Sequence, residues 1–410
     1  MPTTCCVVGG GPAGMVLGLL LARCGVPTTV LEKHADFLRD FRGDTVHAST
    51  LTLLDELGLG PAFAALPARY VTSIQVALDS GVYPFADLTR LPGPHRHLAL
   101  VPQWDLLDLL AREAAAEPTF TLLTQAEVTG LLRDGDRVTG VTYRRDGAPQ
   151  QLEADLVVGC DGRGSTVRDA AGLPYRRFGV PIDVLWFRLR RDDGDPVGGF
   201  GRFSRGCLLV LIDRGDYFQV GFVIRKGSYA RLREQGIAAF RERLVAQLPW
   251  LADRVGELGS FDDVRLLDVQ LGRLRRWRAS GLLLIGDAAH AMSPVGGVGI
   301  NLAIQDAVAT ARLLAPALRA GAPTDAGLRA VQRRRWLPTV LTQTAQQVAH
   351  RLVIAPAVEQ QPEPRTGART PLLMAVLDRL PALRAVPAYF VSIGIRPERP
   401  PAAARRSAPV

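Results

Sequence analysis

The chain has 410 residues, of which 47% are apolar and 22% charged, with a formal net charge of +9. A single core stops growing at roughly 250–300 residues, so this length implies more than one domain. The positive charge is almost all arginine, with Lys33 and Lys226 the only lysines, and no basic run interleaved with aromatics argues for nucleic acid.

Thr3 to Val8 is a short apolar, β-branched run that predicts a buried parallel strand. Gly9-Gly10-Gly11-Pro12-Ala13-Gly14 follows at once, then a helical stretch from Pro12 to Cys24. A second strand, Pro27 to Leu31, delivers Glu32, eighteen residues after Gly14. This strand–turn–helix–strand–acid order is the context in which GxGxxG signifies dinucleotide binding. Gly9 permits the tight turn, Gly11 lets the backbone approach a pyrophosphate, and Gly14 lets the helix pack on the sheet. Free amides at the helix start face the phosphates, and Glu32 accepts from ribose hydroxyls. By itself this signal does not separate NAD from FAD.

Leu156 to Gly162 repeats the pattern of a strand running into a turn, with Asp161 at the strand's carboxyl end, where open α/β sheets place ligands. Asp161 equally suits an Asx-turn or the cap of the helix that follows, and both roles stay open. Gly281 to Asp287 repeats it again, offering Asp287 to the ribityl hydroxyls of a flavin. The run Pro294–Asn301 is glycine-rich and opens a helix expected from Asn301 through Leu314, whose first amides stabilise negative charge on a reduced ring. Three such segments in this order read as parts of one FAD site.

Between Asp183 and Arg225 the pattern changes to short strands, Val184–Leu189, Cys207–Asp213 and Tyr217–Ile224, which predict an inserted antiparallel sheet roofing the flavin. Ile74–Val82 is expected to add a strand, and Tyr229–Gln247 a helix. Leu185 and Phe187 form one face of the sheet, Trp186 and Arg188 the other, and a slip of one residue inverts the assignment. Phe187 and Gln219 are taken as facing substrate, with His47 a further polar group at the cavity. Helices are expected around Trp336–Leu352 and Leu372–Leu383, separated by the proline-rich Pro356–Pro371 and followed by a disordered tail after Arg396.

The expected fold is therefore α/β: a Rossmann-like FAD-binding domain of the glutathione reductase type with a mixed sheet. It is assembled from residues 1–71, 98–178 and 264–335. Residues 72–97 and 179–263 form the substrate-binding β-sheet domain, and 336–410 a helical cap and tail. Cys5, Cys6, Cys24, Cys160 and Cys207 lack a CxxC spacing and read as core residues in a reducing compartment. Met15–Ala22 is too short to span a bilayer, which takes about 20 residues, so a cytoplasmic protein is expected. The histidines lack the spacing and number of a metal site.

On the motifs Gly9–Gly14 with Glu32, Asp161-Gly162, and Gly286-Asp287 with Pro294–Asn301, the chain resembles the class A FAD-dependent aromatic monooxygenases of the para-hydroxybenzoate hydroxylase type. The resemblance spans about residues 5–315. It implies FAD as cofactor, held by Gly9, Gly11, Gly14, Glu32, Arg42, Gln103, Asp161, Asp287, Gly299, Ile300 and Asn301. Arg42 would lie against the pyrophosphate, Gln103 would hydrogen-bond the cofactor, and Asp161 is associated with the NAD(P)H-dependent cycle. Pro294 would lie over the flavin near the oxygenation point, and it and His47 are the candidate catalytic positions. The implied cycle uses NADPH or NADH and O2, and a C4a-hydroperoxide hydroxylates an aromatic or polyketide-like small molecule. A halogenase would carry a Trp-x-Trp-x-Ile-Pro element that this chain lacks. A flavin-dependent reductase of a prenyl or other apolar substrate, and a non-catalytic flavin- or ligand-binding protein, are the alternatives. Monomer and homodimer both fit, and the apolar run Leu372–Ile395 leaves contact with a membrane or a second subunit open.

Overall fold

The computed structural model describes residues 3–38, 45–195, 199–204, 207–321, 323–359 and 372–407. Its first strand, Thr3–Val8, is almost wholly buried, as an apolar β-branched run between two parallel partners must be. Thr28–Leu31 pairs with it on one side and Ala148–Gly159 on the other, both parallel. The parallel array extends outward to Leu282–Leu284 and to Phe120–Leu123. Ala148–Gly159 serves two ladders in turn. Its first half pairs antiparallel with Arg137–Arg145 and its second half parallel with Thr3–Val8, and this makes the sheet mixed.

Helices Pro12–Arg23 and Gly299–Ala320 pack on each other in the main core. Small residues allow the close approach. A side chain on Gly286 would lie 3.2 Å from the Ala303 methyl and 3.5 Å from that of Ala13. The last helix begins two residues before Asn301 and runs six beyond Leu314.

The second sheet has seven strands, in the order Arg265–Leu267, Ile182–Arg190, Tyr217–Arg225, Cys207–Asp213, Gly199–Ser204, Ser73–Leu78 and Gly81–Asp87. The single strand expected over Ile74–Val82 is instead a hairpin, reversing between Leu78 and Gly81, where φ is +139°. Alternation assigns the faces. Leu185, Phe187, Leu189, Phe218, Val220 and Phe222 are buried with Phe240 and Leu244 of the Tyr229–Gln247 helix. Phe187 sets its ring edge-on to Phe240 at 5.6 Å and is fully buried. It therefore belongs to the helix-covered core and does not line a cavity, which corrects its assignment to substrate. The opposite face carries Val184, Trp186, Leu208, Val210 and Val223 and meets Val295 of the Pro294–Asn301 segment.

The Asp325–Ala349 helix continues through a π turn, His350–Ile354, into Ala355–Glu359. The tail expected to be disordered instead packs on the main core as far as Ser407. Glu398 is buried against Arg312 (2.7 Å), Arg334 (2.5 Å) and Arg335 (3.6 Å). Ala404 is fully buried in the main core, and Arg406 donates its amide to the Glu56 carbonyl at 3.2 Å. Proline and alanine content suggested disorder, but Glu398 meets three guanidinium groups and Ala404 packs in the main core. Among the described residues no helix is long and apolar enough to cross a membrane.

A methyl group at position 14 would lie 1.9 Å from the Gly9 carbonyl oxygen, a backbone atom that cannot rotate away. Gly14→Ala is therefore expected to cost about 1–3 kcal/mol or more as an overpacked contact, read as a lowered urea midpoint at constant slope.

Candidate active site

Leu31, Val8, Gly159 and Leu284 lie side by side in register, so four parallel strands end level. The ends are stitched together just beyond the ladder. The Gly9 amide donates to Leu31 O (2.8 Å), that of Cys160 to Val8 O (2.7 Å), and that of Ile285 to Gly159 O (3.1 Å). Glu32, Gly9, Asp161 and Asp287 thus leave the same edge of one sheet, on strands about 4.8 Å apart.

Gly9 has φ +103°, and a side chain there would strike the Cys160 carbonyl at 2.6 Å. Gly11 caps the Pro12–Arg23 helix without a side-chain bond, and the first helical bond runs from the Met15 amide to Gly11 O at 2.9 Å. The amides of Ala13 and Gly14 therefore have no acceptor within the helix. A side chain on Gly11 would meet nothing within 4 Å. Glu32 is buried and braces this loop, its Oε2 accepting from the Gly10 amide at 2.7 Å and its Oε1 from the His34 amide at 3.0 Å.

Asp161 accepts from Ser165 Oγ (2.6 Å) and the Val167 amide (3.0 Å), while Ser165 caps Thr166–Ala170. The turn-and-cap role is thus filled. Burial raises the Asp161 pKa, opposed by the bonds from Ser165 and Val167. Asp287 sits on a single 3₁₀ turn, its side chain 39% exposed and 4.0 Å from Arg163 Nε. Its carboxylate is turned outward, unlike that of Asp161.

The Gly299–Ala320 helix also starts without a side-chain cap, its first backbone bond running from the Leu302 amide to Val298 O. The amides of Gly299, Ile300 and Asn301 have no intrahelical acceptor. The turn before it closes from the Gly297 amide to Pro294 O at 2.9 Å, and Gly296 and Gly297 are exposed with φ +81° and +65°. Asn301 Oδ1 accepts from Ser49 Oγ (2.8 Å) and Thr50 Oγ1 (3.2 Å), fastening the Ala48–Glu56 helix to this turn. Gln103 is half-buried as the first residue of Gln103–Ala115. Gln219 shares the Trp186 face of the second sheet, but its Oε1 accepts from Arg214 at 3.0 and 3.2 Å. Arg42 lies outside the described residues.

His47 precedes the Ala48–Glu56 helix, is almost wholly buried, and neither ring nitrogen has a hydrogen-bond partner among the described residues. Burial pushes its pKa down to about 4, a nearby Thr45 backbone group opposing this only in part. It is a neutral imidazole at physiological pH.

Two features escaped sequence reasoning. The first is an ionic chain behind the Gly286–Ala288 turn. Asp306, fully buried, accepts from the Gly286 amide (3.1 Å), pairs with His290 (2.5 Å) and accepts from Arg335 Nε (2.8 Å). Burial alone would raise the Asp306 pKa, but the His290 and Arg335 charges override it and hold it below the ordinary carboxylate value. His290 is thus structural, as its position after Asp287-Ala288-Ala289 suggested. The second feature is a clamp from the Asp325–Ala349 helix. Gln343 Nε2 donates to the Gly272 and Ala291 carbonyls, and Gln346 Nε2 to those of Ser293 and Val295. His350 Nε2 lies 2.8 Å from Ser293 Oγ. The only advance signal was the Gln343/Gln346/His350 spacing on one helix face.

These groups fit FAD. Two uncapped helix starts present free amides to anionic oxygens, open space lies above Gly11, and a half-exposed carboxylate follows the fourth strand. Residues 2–345 match the model of the FAD-binding domain family, and the chain belongs to that family. It is an FAD-dependent monooxygenase using NAD(P)H. It is 38% identical to the 6-methylpretetramide 4-monooxygenase of Streptomyces rimosus over 92% of each chain. The OxyS anhydrotetracycline hydroxylase of Streptomyces rimosus superposes with a TM-score of 0.72 at 25% identity, over 96% of this chain and 76% of that one. The p-nitrophenol 4-monooxygenase PnpA of Pseudomonas putida shares the fold, with a TM-score of 0.75 at 22% identity over 95% and 98% of the two chains.

Gly11→Val should leave the chain folded, because the added atoms enter open space, yet purified protein should carry little flavin absorbance. Asp287→Ala should do the same, and undiminished yellow colour in both variants would contradict these roles. His47 generates an acid-side stability slope. Its folded pKa is depressed, so its contribution is complete above the unfolded value of 6.5 and lost as pH falls toward about 4. That span corresponds to about 3 kcal/mol, and His47→Gln should flatten the corresponding part of a urea-stability profile between those two pH values.

Proposed function

We propose that this chain hydroxylates a fused-ring phenolic polyketide. The observation that carries the reading is the apolar wall facing the Pro294–Asn301 turn. Half-buried Trp186, Phe203 and Val210 stand on one sheet face, in the same cluster as Val295 of the turn itself. A broad, flat, hydrophobic surface beside a flavin-binding turn suits a planar polycyclic ring better than a small charged acid. The name of the S. rimosus relative at 38% identity supports the same substrate class.

Bound FAD supplies hydride acceptance from NAD(P)H and the activation of O2. The protein's contributions are distinct from that chemistry. Glu32 and Asp287 would hold the sugar hydroxyls, and the Ala13 and Gly14 amides the pyrophosphate. The amides of Gly299 to Asn301, at the positive end of a helix, stabilise negative charge brought to them. Pro294 shapes the turn, donating no hydrogen bond of its own. The Trp186 wall keeps water from the reacting oxygen. His47, neutral at physiological pH, offers a hydrogen-bonding nitrogen and is not a general acid.

The balance of the reaction is one substrate, one O2, one NAD(P)H and a proton giving one hydroxylated product, NAD(P)⁺ and water. Incubating the holoenzyme with tetracyclic phenols should accelerate NAD(P)H oxidation and add one oxygen atom to the ligand by mass spectrometry. Indifference to phenols, or saturation of a prenyl chain without O2 uptake, would refute the assignment.

A further inference from the structure

Resting on the polyketide reading, we propose that Trp186 and His350 select the substrate by hydrogen-bonding oxygen functions of a fused phenol at one apolar cluster. Trp186 stands on Ile182–Arg190, on the face away from the Tyr229–Gln247 helix. Its ring lies across Gly221 of the neighbouring strand, where a side chain would come within 3.0 Å of the indole Cη2 and Cζ3. A glycine there is what lets the indole lie flat on the sheet. The indole N–H is buried and has no acceptor among the described residues.

His350 opens the π turn His350–Ile354, a helix irregularity that concentrates at functional sites. The residue is 2% exposed and its Nε2 is held by Ser293 Oγ at 2.8 Å. Nδ1 is buried without a partner among the described residues. Burial lowers the pKa, so the ring is neutral and carries one N–H and one lone pair. If Ser293 donates to Nε2, then Nδ1–H lacks an acceptor; if Nε2–H donates to Ser293, the Nδ1 lone pair lacks a donor. Either tautomer leaves Nδ1 unspent.

His350 adjoins the patch that carries Trp186. Ile354, one turn beyond His350, lies in the cluster against which Trp186 packs, with Val184, Leu208 and Val223. Val295 packs there too, and its amide is held by the same Ser293 Oγ at 3.3 Å. Ala355–Glu359 packs on the strands Cys207–Asp213 and Tyr217–Arg225, with Val358 in the same cluster. A buried polar group without a partner is rare enough to need a reason, and two at one apolar patch give it. The ligand chemistry follows from the donors. A planar fused aromatic ring fills the patch, a keto or phenolic oxygen accepts from Trp186 Nε1–H, and a phenolic hydroxyl pairs with His350 Nδ1.

The test uses FAD-loaded full-length protein and follows perturbation of the flavin absorbance on titration with 1-naphthol, its methyl ether and naphthalene. Wild-type enzyme should prefer 1-naphthol by about tenfold, as a site built to hydrogen-bond a hydroxyl does. Trp186→Phe deletes the N–H, and His350→Gln deletes Nδ1 while keeping a group that can reach Ser293. Each should abolish the preference and raise KM for a tetracyclic phenol about tenfold, more than it lowers kcat. His350→Gln with wild-type binding would reduce His350 to a support for Ser293, and either variant with intact discrimination would overturn the proposal. The phenol-against-ether comparison on unaltered holoenzyme decides the case even if a variant fails to take up FAD, since equal affinity for both refutes recognition. Wild-type protein that discriminates naphthols but does not hydroxylate the tetracycle sinks the polyketide assignment alone; protein that binds none of the probes sinks the pocket as well.

Discussion

Four parallel strands ending level with one another is the constraint on which the rest of the site depends. Leu31, Val8, Gly159 and Leu284 share one register, and three backbone bonds beyond the ladder hold the turns that follow. Shift one strand by a residue and its carboxylate would leave the edge by several ångströms and change faces. The glycines are needed because those turns nest against each other, Gly9 against Cys160 and Gly14 against Gly9. The free amides at the same edge follow from helices that begin with no side-chain cap.

Behind that edge, a buried charge chain joins segments far apart in sequence. Asp306 touches the Gly286 amide, His290 and Arg335, and Arg335 reaches Glu398 of the tail. Burying such groups is expensive, and the compensation lies in the mutual pairing of Asp306 with His290 and Arg335. The outcome is mechanical. The turn carrying Asp287, two long helices and the C-terminal tail are fastened at one point, while Gln343, Gln346 and His350 fasten the turn carrying Pro294. Flavin-facing backbone is thereby held by side chains that do not themselves reach the edge.

The second sheet divides its labour by alternation. Leu185, Phe187 and Phe222 bind the sheet to its covering helix, and Trp186, Val210 and Val223 face the flavin-binding turn. A roof rigidly packed on one face can present a flat apolar surface on the other without collapsing onto the site.

Local pattern determined the elements whose identity is written in consecutive residues. Thr3–Val8, Cys207–Asp213 and Tyr229–Gln247 were all legible to the residue, and so were the three glycine-marked turns with Glu32, Asp161 and Asp287. Period and turn chemistry suffice there, because both are short-range properties of the backbone. Tertiary structure alone decided what depends on a partner elsewhere in the chain. Alternation on Ile182–Arg190 defined two faces but not which of them the Tyr229–Gln247 helix would cover, so Phe187 and Trp186 exchanged roles. Composition of the tail suggested disorder because Glu398 carries no local sign of the arginines contributed by two distant helices. That Asp161 fills a turn-and-cap role was decided only when Ser165 and Val167 were seen to donate to its oxygens, and the pairing of His290 with Asp306 required two separate segments to be buried together.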